Sequence, residues 1–348
     1  MVFLLPFINF PDLFPVYFQL QLSDILFVLA GLVFSIYVVT GKKTVRRSWF
    51  YFPLIAYFFA LLLSTLFSEN PALSWKKLVA NSYLPGLAFM AFNLTDSFEK
   101  FKKVAQAWMS GMFIVGAVSL VSLLLYYFDN DNPILQRTLF TWGSLPPGTY
   151  PRIQSTFNNP NMLSNYLIIG PVLVWFAYVF EWFSRTGLLV FSILLAVATI
   201  FTLSPGIGGS LLVTGLLLWI HNKKKNPLLS KSGLIGGILA AILFFISVLP
   251  SPTNFPEVIE PSGRIISWIA SIKTFWEYPV TGIGLGVDPI LVSYSAPYGI
   301  HYITDPHQLF LNVAAQLGTI GIFALSLLLF YLLSVFLPKK KLKPGEAF

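Results

Sequence analysis

Long apolar segments separated by short basic connections restrict this chain to a membrane fold. Such segments lie at 23–40, 48–68, 77–94, 104–128, 161–180, 187–204, 206–221, 234–250 and 308–337. An apolar helix of about 20 residues crosses a bilayer. The mean hydropathy of +0.74 excludes a soluble domain of this size. The sequence therefore predicts an all-α polytopic membrane protein with nine transmembrane helices, or ten if the proline-interrupted opening segment also spans.

The basic residues are concentrated on one side of these spans. With the C-terminus inside, sixteen of the 22 Lys and Arg residues fall in inner connections: Lys42, Lys43, Arg46, Arg47, Lys100, Lys102, Lys103, Arg185, Lys223, Lys224, Lys225, Lys231, Lys339, Lys340, Lys341 and Lys343. Short cytoplasmic loops carry such an excess, which predicts a cytoplasmic C-terminus. The net charge of +8 is then a feature of topology, and no nucleic-acid partner is expected.

Two outer connections, 129–160 and 251–307, are too long to be simple links within a single integral membrane domain, 1–348. Long ordered loops often carry function. Alternating apolar and polar residues between Ser262 and Pro279 predict an amphipathic helix on the outer membrane interface. The glycines that follow, up to Gly286, suit a tight irregular turn. They do not predict a nucleotide cradle, because no strand precedes them.

His307 stands at the outer end of the last span. Asp305 and Pro306 predict the cap and the first position of its helix. In a regular helix His307 shares a face with Gly318 and Gly321, small residues that allow close helix packing. Histidine titrates near neutral pH, which suits a general base. The alternative is an interfacial histidine that binds lipid headgroups.

Two arginines, Arg152 and Arg264, lie on the side that the charge rule disfavours. Guanidinium groups match phosphate oxygens, and a lipid diphosphate presents its charge at this depth. Each arginine is equally explained, taken alone, as an anchor at the membrane interface. Lys76 and Lys77 add to the same positive field or are interfacial anchors.

No metal site and no cofactor are expected. The chain has no cysteine, and its three histidines have no metal-ligand spacing. His221 is interpreted as a cap at a helix end. His301 and Tyr302 belong to the large outer loop and, with Gln308, are predicted to line the acceptor side of a site.

A base beside a phosphate clamp, without a carboxylate pair or an activated nucleophile, favours group transfer from a lipid diphosphate. A non-enzymatic polysaccharide or lipid transporter is the alternative from another class. Such a transporter would place ionisable groups near the membrane midplane and show repeated halves. In this chain nearly all charges lie at the two faces.

His307 and Gln308, followed after nine residues by Gly318 and Gly321, resemble the hallmark of a known family. This is the O-antigen ligase and polymerase-like family of bacterial inner-membrane glycosyltransferases. Arg152 ahead of Phe157-Asn158-Asn159-Pro160-Asn161, and Gly263-Arg264 ahead of Pro279 and Gly282, are also similar. The similarity extends loosely from 23 to 337 and implies a GT-C-like fold.

The resemblance implies metal-independent transfer of a glycan from undecaprenyl diphosphate at the periplasmic face of the inner membrane. Its leading form is O-antigen ligation to lipid A core in lipopolysaccharide synthesis. The alternatives are an O-antigen polymerase and a protein O-oligosaccharyltransferase. By analogy His307 activates the acceptor hydroxyl, while Arg264 and Arg152 bind the diphosphate.

The chain departs from the family pattern at one position. Many members carry Ser-Arg-Gly at the outer end of a middle helix, where this sequence has Ser204-Pro205-Gly206. Either Lys76 or Lys77 supplies the missing charge, or the donor is held differently, or activity is weak.

Overall fold

A computed structural model of the chain describes residues 3, 5, 6, 22–140, 151–204, 206–222, 231, 234–239, 242, 263–287, 293–296, 299–302 and 308–336. Pro205, Ser262, Asp305, Pro306 and His307 lie outside the described residues. The prediction of an all-α polytopic membrane protein is confirmed. Three described helical segments, Phe98–Phe128, Pro160–Val179 and Leu309–Ser334, are long and apolar enough to cross a membrane.

The helices are α1 (Leu22–Val39), α2 (Tyr51–Leu66), α3 (Pro71–Leu94), α4 (Phe98–Phe128), α5 (Leu135–Thr138), α6 (Pro160–Leu167), α7 (Gly170–Val179), α8 (Arg185–Ile200), α9 (Gly206–Asn222), α10 (Gly263–Glu277) and α11 (Leu309–Phe336). Residues 234–239, within a further predicted span, are also helical. The strands in the described part of the chain are β1 (Leu139–Phe140), β2 (Arg152–Ile153), β3 (Ser293–Ala296) and β4 (Gly299–Tyr302). They form two antiparallel pairs, β1 with β2 and β3 with β4.

The predicted span 161–180 is two helices, α6 and α7, instead of one. The break falls just before Pro171, which lacks the amide that would donate to the carbonyl of Leu167. Hydropathy does not register such a break, because both halves are apolar.

The chain divides into two compact units. Unit 1 is Met1–Val39 with Thr95–Ser251, and its core is formed by α4, α6, α7 and α8. Gly116 of α4 allows a close helix contact, because a Cβ there would lie 3.0 Å from Cβ of Leu194 in α8. The assignment of 1–348 to a single domain stays a prediction.

Unit 2 is Thr40–Leu94 with Pro252–Phe348 and contains α2, α3, α10 and α11. Its core contains Leu61, Leu78, Leu285, Val313, Leu317 and Leu325. The helix predicted between Ser262 and Pro279 is α10. Its large apolar side chains Trp268, Ile272 and Trp276 are exposed, whereas Ser271 and Thr274 are buried. An exposed apolar face of this kind suits a lipid environment.

Candidate functional site

The glycine-rich segment after α10, residues 278–286, is called the glycine loop here, and it contacts α11 where that helix is interrupted. Gly318 has φ 64° and ψ −158°, which no helical residue adopts. The amides of the next two residues donate outside the helix. Thr319 N donates to Pro279 O (2.8 Å) and Ile320 N to Val280 O (3.3 Å). The continuous helix predicted over 308–337 is therefore wrong, whereas the prediction that His307 shares its face falls outside the described residues.

The carbonyls that these amides would have met in a straight helix are those of Ala315 and Gln316. Both have new donors. Ile283 N of the glycine loop donates to Ala315 O (2.9 Å), and Ser64 Oγ of α2 donates to Gln316 O (2.6 Å). Both carbonyls that lose a helical donor at the interruption therefore accept a hydrogen bond from another group. A backbone polar group buried in a membrane requires such a partner.

Two glycines make this contact sterically feasible. A Cβ on Gly318 would lie 2.3 Å from Val280 O, and a Cβ on Gly282 would lie 2.2 Å from the carbonyl carbon of Gln316. Both glycines also have positive φ values. Gly318 was predicted to permit close helix packing, but the structure places it against the loop.

The other side of the glycine loop contacts the junction between α2 and α3. Glu69 N donates to Ile283 O (3.0 Å), and Ser74 Oγ donates to Leu285 O (2.8 Å). Ser68 Oγ lies 2.7 Å from Ser74 Oγ and, since the Ser74 proton is engaged, Ser68 is the donor. The loop is therefore bonded on both sides within unit 2.

Lys77 of α3 lies along the end of the glycine loop. A Cβ on Gly286 would lie 2.3 Å from Lys77 Cγ, so the aliphatic stem of the lysine covers this glycine. Gly286 N donates to Oε1 of Gln316 (2.9 Å). Lys76 and Lys77 are both exposed. Of the predicted diphosphate ligands, Lys77 is thus the one described in contact with the loop.

Tyr278, at the start of the glycine loop, interacts electrostatically with Glu69 at the α2–α3 junction. Desolvation, followed by the negative charges of Glu69 and Glu277, raises the pKa of Tyr278 above its ordinary value. The raised pKa favours the neutral phenol beside these carboxylates.

The described part of α11 begins at Leu309, and Gln308 caps it: the side-chain Oε1 of Gln308 accepts from Leu311 N. The helix start predicted at Asp305 and Pro306 falls outside the described residues and stays a prediction. A polar amide can satisfy a free amide of the first turn as Asp or Ser does. Gln308, predicted to line the acceptor side, has this structural role in the described chain.

Arg152 lies in unit 1 at the C-terminal end of α8. Its Nε donates to Thr202 O (2.9 Å), its Nη2 donates to Asn161 Oδ1 (3.0 Å), and its guanidinium carbon lies 5.7 Å from the Phe140 ring centroid. The guanidinium is therefore oriented by the residues just before Ser204-Pro205-Gly206.

Comparison with known proteins bears on the region that contains α10, the glycine loop and most of α11. Residues 172–326 match the family model described as O-antigen ligase. This region is O-antigen ligase-like. No curated protein and no solved structure matches the chain. The O-antigen ligase-like region includes Arg264, His307, Gly318 and Gly321, whereas Arg152 lies before it.

Three of the predicted site residues lie in two separate described elements of unit 2. Arg264 lies in the first turn of α10, the helix that leads into the glycine loop. His301 and Tyr302 lie in β4, and their backbones pair with Tyr294 and Ser293. Among the described residues, no group of three or more His, Asp or Glu could hold a metal ion.

The sequence interpretation missed the polar side chains that hold the glycine loop. Ser64 and Gln316 stand in otherwise apolar segments, whereas Ser74 lies between two spans, close to Lys76. Ser64 and Ser74 are completely buried. Polar residues inside membrane segments usually have a bonded partner, so Ser64 and Gln316 were the available signal.

Replacing Arg152 by alanine is expected to lower the melting temperature of the detergent-solubilised protein as well as its activity. The change leaves Thr202 O and Asn161 Oδ1 without this donor, which costs about 1–3 kcal/mol for each buried group left unsatisfied. Arg137→Ala is the control, since Arg137 is exposed and its backbone carbonyl, which accepts from Gln154 Nε2 (3.0 Å), is kept by alanine. An unchanged melting temperature for Arg152→Ala would contradict the anchoring role.

Proposed function

We propose that this protein transfers a glycan from undecaprenyl diphosphate to an acceptor hydroxyl at the periplasmic face, as an O-antigen ligase acting on lipid A core. One observation carries the proposal. The O-antigen ligase-like region holds the helix that follows His307 by hydrogen bonds between its backbone and the glycine loop. Such support gives a catalytic group the fixed position that catalysis needs.

In the proposed reaction His307 accepts the proton of the acceptor hydroxyl. The hydroxyl oxygen then forms a bond to the anomeric carbon of the glycan, and the bond from that carbon to the diphosphate oxygen breaks. The leaving group is undecaprenyl diphosphate, which departs with the electron pair. Base catalysis of this kind typically contributes about 10²–10⁴-fold to the rate.

Cationic side chains stabilise the negative charge that develops on the diphosphate. Arg264 and Arg152 have this role by family analogy. Lys77 is proposed to add to it, because its stem is held along the glycine loop. Lys77 is therefore proposed to supply the positive charge that the arginine of Ser-Arg-Gly supplies in other family members. Lys76, on the exposed surface of the same turn, is the alternative.

The proposal is tested by determining which acceptor receives the glycan. Purified protein in lipid vesicles, given an undecaprenyl diphosphate glycan, is expected to glycosylate lipid A core and to release undecaprenyl diphosphate without added metal. Repeat units and a peptide are offered in parallel. Elongation of repeat units would indicate a polymerase, and peptide modification a protein O-oligosaccharyltransferase. Absence of transfer to any acceptor, from a donor that is transported intact, would support the transporter alternative instead.

A further inference from the structure

The connection between α7 and α8 forms an open cavity at the end of α8 opposite to Arg152. Its volume is about 790 Å³, and its lining includes Tyr178, Glu181, Trp182, Phe183 and Arg185. α8 has 16 residues, which corresponds to a length of about 24 Å. The cavity is therefore well separated from the Arg152 end of unit 1, and it has no part in the proposed glycan transfer.

A second, apolar cavity of about 400 Å³ adjoins the first between α4 and α8. It is lined by Met109, Phe113 and Phe191, among others, and shares Phe183 and Leu188 with the first cavity. A polar chamber that continues into an apolar slot matches a molecule with a polar head and a hydrocarbon chain. In a membrane-spanning bundle such a molecule is a lipid.

The charges of the polar chamber specify the headgroup. Glu181 and Arg185 line the same cavity, and no ion pair joins them in the described part of the chain. Both side chains are exposed. One carboxylate and one guanidinium complement a headgroup that carries both an ammonium and a phosphate. A purely anionic headgroup would leave the carboxylate opposed to a like charge.

The backbone of Glu181 is a second, independent indication. Glu181 has φ 53° at the position after the end of α7, where glycine is usual. Trp182 N donates to Ala177 O (2.9 Å) and Glu181 N to Tyr178 O (3.4 Å), the bonds of a glycine-type helix end. A carboxylate thus stands where the backbone favours glycine, and such conformations concentrate at functional positions.

We propose that this pair of cavities binds a phospholipid with a primary ammonium headgroup, of the phosphatidylethanolamine class. The ammonium donates hydrogen bonds to the Glu181 carboxylate, and Arg185 binds the phosphate. The slot of Met109, Phe113 and Phe191 holds one acyl chain. A choline headgroup has no N–H to donate to Glu181, and a glycerol headgroup has no cation.

The test measures the thermal stability of the delipidated full-length protein in detergent. Phosphatidylethanolamine, phosphatidylcholine and phosphatidylglycerol with identical acyl chains are added in turn. Phosphatidylethanolamine is expected to raise the melting temperature by about 3 °C or more beyond the other two. Glu181→Gln is expected to abolish that difference, whereas Asp131→Asn, an exposed acid elsewhere in unit 1, is expected to preserve it.

Glu181→Gly separates lipid binding from folding. Glycine suits the positive φ, so this variant is expected to melt higher than wild type without lipid and still to lose the preference for phosphatidylethanolamine. Equal shifts of the wild type with all three lipids would mean non-selective annular lipid and overturn the proposal. Retention of the preference in both Glu181 variants would overturn it as well.

Discussion

Glycan transfer by His307→Ala is expected to fall by about 10²–10⁴-fold, while the variant still inserts into the membrane and keeps its melting temperature. The proposed role is proton acceptance from the acceptor hydroxyl, and removal of a general base costs about this factor. The measurement is initial rate against acceptor concentration in lipid vesicles. A loss in kcat with little change in KM is expected, because the proton moves in the transition state and not on binding.

His221→Ala is the matched control. His221 lies at the end of α9, far along the chain from the glycine loop, and it is not among the residues proposed for the site. Full transfer by His307→Ala would contradict the general-base role and leave His307 as an interfacial residue. Equal losses in both variants would point to a general effect of histidine removal on folding.

The helical architecture followed from the sequence because its causes are local. The apolar segment 104–128 predicts α4, and the alternation between Ser262 and Pro279 predicts α10. Each of these depends on the hydropathy of consecutive residues, which a linear pattern records. The inner and outer assignment of the loops remains a prediction from the charges.

The interruption of α11 did not follow from the sequence, because its cause is a non-local contact. In the sequence Gly318 is one small residue within an apolar segment. No residue near it indicates that the carbonyls of Pro279 and Val280 accept hydrogen bonds from the amides that follow Gly318. Asp305 and Pro306, the predicted start signals of α11, fall outside the described residues, within which Gln308 caps the helix.

The candidate site could be predicted as residue types but not as an assembly. The spacing of His307, Gly318 and Gly321 identified the O-antigen ligase-like region. The contact of Lys77 with Gly286, and the anchoring of Arg152 by Thr202, involve residues far apart in the chain. Pairing of this kind depends on tertiary packing, which propensity and hydropathy do not contain.

Gly318→Ala is expected to lower the free energy of unfolding by about 3 kcal/mol or more and to abolish glycan transfer. With φ 64° and ψ −158°, Gly318 lies in a region that is almost exclusive to glycine, where a side chain costs about 1–3 kcal/mol. The added Cβ would also lie 2.3 Å from Val280 O. Backbone must move to relieve this overlap, and overpacking costs a further 1–3 kcal/mol or so.

Two glycines separate the causes of this effect. Gly41 has φ 71° with no neighbouring atom within 4 Å of an added Cβ in the described structure, so Gly41→Ala measures the cost of a positive φ without steric overlap. Gly236 is helical, likewise has open space, and has no positive φ, so Gly236→Ala is expected to be neutral or slightly stabilising. The melting temperatures of the three variants in detergent therefore show how much of the destabilisation in Gly318→Ala comes from conformational strain and how much from steric overlap.

Glycan transfer activity shows whether the glycine loop positions the helix for catalysis or only stabilises the fold. If it positions the helix after His307, Gly282→Ala, whose Cβ would lie 2.2 Å from the Gln316 carbonyl carbon, should also lose transfer at temperatures where it remains folded. A stability role alone predicts normal transfer well below the melting temperature. Wild-type activity and stability in Gly318→Ala would contradict the observed contact between Gly318 and Val280. A variant with a straight α11 would avoid the overlap, but it would lose the hydrogen bonds from Thr319 and Ile320 to the loop.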